Sequence, residues 1–191
     1  MAGARKARST VLALVLCSLA GALQAQSEAE HITAPTPEGF KDLGKDTRAD
    51  GAVTQIWLPP GQSERFWTDQ IVVRTLPNKA AGADLTAAMH SVEKHVAAAC
   101  KGTASAPRIV PGTSNGYPTA TMMMRCAKGP DNGDPETALI HMIKGTDHLY
   151  LVMRSAHYDA TPEQVKQWIL YIGSVRVCDD RTAEHPCRKP Q

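Results

Sequence analysis

The sequence predicts an α+β fold: one domain with a mainly antiparallel sheet and two packed helices, in the order β-β-α-β-β-β-α-β. Three observations carry this reading. Several segments alternate apolar and polar residues or are rich in β-branched ones, and those in the middle of the chain are joined by connections too short for a crossover. Two others change to a helical period with a single apolar stripe. Both of those open on a capping residue. The chain has 191 residues, of which 42% are apolar, enough for a single hydrophobic core.

Residues 1–25 read as a signal peptide. Arg5, Lys6 and Arg8 form a basic n-region before the apolar run from Ser9 to Leu19. Ala20-Gly21-Ala22 and Leu23-Gln24-Ala25 offer cleavage patterns for signal peptidase. The run is about a dozen residues, against roughly 20 for a membrane-spanning helix. Cys17 lies inside the run and follows Leu16, which does not suit lipoprotein processing. No later stretch is apolar enough to span, so the exported protein is expected in the periplasm or secreted, with no membrane span.

Residues 26–40, with Ser27, Pro35, Pro37 and Gly39, have little periodicity and read as a surface lead-in to a domain over 41–191. Strands are expected from Val53 to Leu58, ended by Pro59-Pro60-Gly61, and from Gln70 to Leu76, ended by Pro77-Asn78. Between them Phe66 and Trp67 sit in a turn. Leu85, Ala88, Met89, Val92, Val96 and Ala99 then mark a helix, with Asp84 as N-cap and Gly102 past its end.

From Thr119 to Cys126 the period returns to two, placing Ala120, Met122, Met124 and Cys126 on one face and Met123 on the other. The Met122-Met123-Met124 run therefore cannot converge on copper and is expected to pack in the core. Strands from Thr137 to Lys144 and from His148 to Ser155 follow, joined by Gly145-Thr146-Asp147 as a hairpin. The second helix is the most clearly punctuated: Thr161 as N-cap, Pro162 at the first position and Gln164 completing a capping box. Val165, Trp168, Ile169 and Ile172 form its apolar face, Gly173 is read as its end, and Ser174 to Cys178 as a last short strand.

Without Cys17, four cysteines remain: Cys100, Cys126, Cys178 and Cys187. In an exported domain an even number reads as disulfides. Four cysteines permit three connectivities; Cys100–Cys126 and Cys178–Cys187 are favoured. The first ties a helix end to a strand end, and the second closes the polar loop from Asp179 to Pro186. Loop entropy assigns each roughly 2.5–3.5 kcal/mol. No C-x-x-C pair is present, so zinc held by cysteine is not expected.

The element order resembles that of the small α/β sandwiches of the Mog1/PsbP-like group. Trp57-Leu58-Pro59-Pro60-Gly61-Gln62 with Trp67 and Ile71, Leu149-Tyr150-Leu151-Val152, Cys178-Asp179-Asp180-Arg181 and His185-Pro186-Cys187 resemble segments of exported bacterial proteins of unknown function. The resemblance spans about residues 36–187. It implies the sandwich fold and brings no catalytic motif with it.

Few constellations carry chemistry. Gly112-Thr113-Ser114-Asn115-Gly116 matches the nucleophile elbow G-x-S-x-G. That motif needs a helix after the serine, whereas Pro118 and a strand follow here, so a turn is expected. His90 and His95 are five apart and do not share a helix face as an H-E-x-x-H pair would. His141 and His148 flank a hairpin and are expected near opposite positions, within reach of each other. Asp131, Asn132 and Asp134 lack the spacing of a calcium loop. Removing Arg5, Lys6 and Arg8 leaves 18 basic against 19 acidic residues, too little positive charge for nucleic acid.

The expected function is that of an exported, non-enzymatic binding protein of the bacterial envelope, immunity-type or accessory, whose partner is another envelope or secreted protein. Trp57, Phe66, Trp67 and Tyr117 are its candidate interface anchors. The alternative is a periplasmic protein that binds a small molecule or a metal, with a hydrolase built on Ser114 or on His141 and His148 ranked behind it. No catalytic residue, cofactor or metal ligand is assigned.

Overall fold

The computed structural model describes residues 30–77, 84–130 and 133–187; the expected signal peptide and the Asp131-Asn132 pair lie outside them. The elements run β1 (Glu30–Thr33), β2 (Lys41–Thr47), β3 (Val53–Leu58), β4 (Asp69–Pro77), α1 (Leu85–Ala99), β5 (Val110–Ser114), β6 (Tyr117–Cys126), β7 (Glu136–Lys144), β8 (His148–Ala156), α2 (Pro162–Ser174) and β9 (Arg176–Asp179). The fold is a single α+β domain. Every expected element is present in the expected order, and β1, β2 and β5 are added to them.

Two meanders make the main sheet. One is β2-β3-β4 and the other β5-β6-β7-β8; they join where β4 pairs β8, giving the antiparallel order β2-β3-β4-β8-β7-β6-β5. Helix α1 carries the chain across one face, from β4 to the far edge at β5. On the opposite face lies α2, beside the separate antiparallel pair β1-β9.

The alternation read from the sequence explains both cores. Met122 and Met124 pack with Met89, Ile140, Met142, Leu149 and Leu151 beneath α1. Met123, on the other face, packs against the second core, which contains Trp57, Ile71, Val73, Leu139, Val152, Trp168 and Ile172. Burial of such side chains contributes about 1.5–3 kcal/mol each, an upper figure for a real unfolded chain.

Both helix caps form as the residue types require. The Asp84 carboxylate accepts from the amides of Thr86 and Ala87 at 3.2 and 3.3 Å. Thr161 Oγ1 accepts from the Gln164 amide, whose side chain in turn accepts from the Thr161 amide. At its other end α2 runs through Gly173 to Ser174, and the extended Val175 is its C-cap. Buried Ile172 and Val175 hold this last turn against the sheet, which overrides the weak helix propensity of glycine.

The added strands have local reasons for lacking a pattern. Strand β2 is an edge exposed on both sides, so nothing selects apolar residues at alternate positions. A register shift between Asp42 and Lys45, around Gly44 at φ 98°, interrupts it further. Strand β5, at the other edge, contains Pro111 and Gly112, which an edge tolerates. The expected surface lead-in is corrected at its centre: Glu30–Thr33 is a strand on β9, and Glu30 is buried.

Cys100 is bonded to Cys126 and Cys178 to Cys187, the favoured pairing. No helix among the described residues is long and apolar enough to cross a membrane.

Candidate functional site

Ser114 ends β5, and the chain turns through Asn115 and Gly116 at φ 48° and 82° directly into β6. Two positive φ values in a two-residue loop make a type I′ hairpin, for which Asn-Gly is the preferred pair. A strand and no helix follows, so the strand–turn–helix geometry of the nucleophile elbow is not formed at Ser114. The hairpin instead holds the C-terminal loop. Asn115 Nδ2 donates to the Val177 carbonyl at 2.9 Å, and the His185 ring lies 2.7 Å from the Asn115 carbonyl while stacking on Tyr117.

His141 and His148 do not meet. The β7–β8 register sets His141 opposite Val152, four residues along β8 from His148, which is about 13 Å of strand. A hairpin closed over residues 145–147 sets Lys144 opposite His148, within one residue of the observed Lys144–Leu149 pair, so the expected strand pairing is nearly right. The expected facing of the two histidines fails because His148 lies at the turn and His141 three residues away from it. His141 is buried against Thr121, with Nδ1 2.7 Å from Oγ1, and burial lowers its pKa to about 4. His90 pairs with Glu93 on the surface.

The aromatic interface candidates divide. Trp57 and Tyr117 are only 1% and 4% exposed and cannot anchor a partner, because both face cores of the sandwich. Half-buried Trp67 lies against His157, with ring centroids 3.7 Å apart. Phe66 alone of the four is open, at 71%, with Arg65 over its ring.

A polar groove of about 560 Å³ lies between β1 and the β2–β3 hairpin, lined among others by Glu30, His31, Lys45, Thr75, His148 and Tyr150. Its floor is set by Glu30. One carboxylate oxygen accepts from the Thr146 amide at 2.5 Å, and the other from the amides of Asp147 and His148 and from the Tyr150 hydroxyl, each at 3.1 Å. Gly145 is required beside it, since a Cβ there would collide with the carboxylate. Burial and the Glu30 charge push the Tyr150 phenol up, so it stays a proton donor to Glu30. With its oxygens engaged in this way, Glu30 anchors β1 to the β7–β8 loop and is not set up as a general base.

Arg181 joins Asp147 at 2.6 Å and Asp179 at 2.7 Å, and the hydrogen bonds it donates to Asp179 hold that carboxyl down at about 2. Asp179 and Arg181 bond locally, two residues apart, and Asp147 reaches them from the β7–β8 loop, a contact that no local pattern in the sequence marks.

A second groove, of about 370 Å³, runs between β6 and α2 and is lined by Met123, Pro162, Val165, Ile169 and Leu170, with Arg125 and Lys166 at its rim. Ile169 and Leu170 are 55% and 61% exposed. The sequence assigned Ile169 to the core-facing stripe; Val165, Trp168 and Ile172 fill that stripe, and Ile169 turns toward the groove instead. Leu170 carries no sequence signal of its own, since an exposed leucine is legible only once the neighbouring strand is placed.

No protein-family model matches the chain, and no curated protein is similar to it in sequence. Among solved structures, a mutant of protein Mog1 is similar at 16% sequence identity with a TM-score of 0.42, over 73% of this chain and 78% of that one.

Proposed function

We propose that the protein is an exported, non-enzymatic binding protein of the bacterial envelope, and that it docks a partner protein in the groove between β6 and α2. The observation that carries this reading is the adjacent exposure of Ile169 and Leu170 beside Met123, Val165 and Pro162. Contiguous open apolar surface of this kind marks interaction sites more often than catalytic ones. The groove stands on rigid parts, a capped helix and a strand paired on both sides, so little ordering entropy opposes docking. Arg125 and Lys166 favour a partner segment that places apolar side chains in the groove and acidic ones at its rim.

Export is supported by the apolar run behind a basic start and by the bonding of Cys100, Cys126, Cys178 and Cys187 in pairs, which persist in oxidising compartments. An immunity-type or accessory role is the form of binding function this reading implies.

The test is capture of partners from an envelope extract by the wild-type protein and by Leu170→Asp. Leu170 is mostly solvated, so the variant is expected to keep its melting temperature while losing the captured protein. Recovery of the same protein by both forms, or of none by either, overturns the assignment of this groove.

A further inference from the structure

We propose that His31, Cys178 and Cys187 form a redox-gated site for a thiophilic d10 cation, Zn²⁺ or Cu⁺, closed while the two sulfurs are bonded to each other and competent once they are reduced. This inference does not depend on the docking groove.

The β1–β9 register sets His31 directly opposite Cys178, on the same face of the two-stranded sheet. The closed loop then brings Cys187 back to the pair, with its Sγ 3.2 Å from His31 Nε2. Of the described residues, these three form the group of His, Cys, Asp or Glu whose ligand atoms all come within 4.8 Å of one another. Zinc bonds of about 2.3 Å to sulfur and about 2.0–2.1 Å to nitrogen, at tetrahedral angles, put ligand atoms roughly 3.5–3.8 Å apart. The imidazole therefore stands nearly at ligand distance already. What must open is the separation of the two sulfurs, and that is the bond reduction breaks.

The loop is also held independently of the disulfide, so Cys187 stays close after cleavage. The Asp179 amide donates to the His185 carbonyl at 2.9 Å, and His185 is fixed to Asn115 and stacked on Tyr117. Cys178 is buried, whereas His31 and Cys187 are half-buried, and His31 lines the polar groove, which gives a cation a route in. Two thiolates and one imidazole are a borderline-soft donor set, suited to Zn²⁺ or Cu⁺ and poorly suited to Mg²⁺ or Ca²⁺.

The gating step balances with a thiol reductant. Two reductant thiols give two electrons and two protons to the Cys178–Cys187 bond and leave as their own disulfide. The cation then displaces the two thiol protons and bonds to both sulfurs and to His31 nitrogen.

The experiment titrates Zn²⁺ into oxidised and anaerobically reduced protein against a chromogenic chelator, with a parallel arm for Cu⁺ to decide between the ions. The reduced wild type is expected to take up one ion and the oxidised form none. His31→Ala is expected to weaken uptake at least tenfold, and Cys187→Ser to abolish it. The double variant Cys100→Ser/Cys126→Ser, checked for folding by circular dichroism, is expected to bind as the wild type does. Should His31→Ala fail to fold, His31→Gln replaces it and the same loss is expected. Equal uptake by the oxidised form, none of either ion by folded reduced protein, uptake untouched by the His31 substitution, or loss in the folded Cys100/Cys126 variant overturns the proposal.

Discussion

At Glu30 a single side chain ties β1, already paired with β9, to the β7–β8 loop. Its carboxylate faces three backbone amides and a phenol, all of them donors. Glu30→Gln turns one acceptor oxygen into a donor aimed at donors, so about 2–3 kcal/mol of stability should be lost in urea unfolding. Tyr150→Phe removes one donor and should cost about 1 kcal/mol. His141 has the opposite character, a group that must remain uncharged. Its pKa falls from 6.5 to about 4 on folding, so between those values the unfolded chain binds the extra proton. Stability from this residue is complete above pH 6.5 and is lost as pH falls to about 4, a change of about 3 kcal/mol. Unfolding curves for the wild type and His141→Gln at pH 7 and pH 4 isolate it: the wild type should lose that much more than the variant. Neither role could be read locally. Glu30 lies in a segment without periodicity, and His141 on a strand looks the same exposed or buried until the register is known.

Individual elements were legible where two signals coincide. Helix α2 has a capping box, a proline at its first position and an apolar stripe, and it forms where those place it. Strand β6 is legible from its alternation, and β7 and β8 from nearly continuous apolar runs, because both faces of those two strands are covered by a core. Edges β2 and β5 were illegible for the converse reason: little buried surface constrains them, and glycine, proline and charge are suitable there. The β5–β6 hairpin still has a strict requirement. Gly116 adopts φ 82°, and an added Cβ would come within 2.8 Å of the His185 ring. Gly116→Ala should therefore cost about 1–3 kcal/mol, from backbone strain and displacement of the ring. Gly133→Ala serves as a control, since φ is 80° there but nothing lies within 4 Å of the added Cβ. A thermal melt that shifts equally for both variants would assign the whole effect to the backbone.

Across the whole molecule, the sequence conveys what each strand is but not which strands become neighbours. Connections too short for a crossover join β5 to β8 in series and β3 to β4, yet nothing local says that the two meanders meet at β4 and β8. The seam has a specific device. Arg154 on β8 bonds Asp69 on β4 through Nε and Nη2 at 3.3 and 3.0 Å, and its guanidinium lies over the rings of Phe40 and Trp168. Tyr158 adds a hydrogen bond to the same carboxylate at 3.1 Å. One arginine thus connects both meanders, the segment leading into β2, and α2. Both charges are largely removed from water, so Asp69→Ala strands the guanidinium between two aromatic rings and should cost about 3 kcal/mol. Arg154→Met keeps an apolar body against Phe40 and Trp168 while leaving Asp69 with only the tyrosine. The double variant removes both charges and should be more stable than the two single losses summed, with a coupling of about 1–2 kcal/mol in a double-mutant cycle. A coupling near zero would mean that the strand ladder and the apolar contacts of Ile71, Val73 and Val152 hold the seam, with the ion pair contributing no net stability.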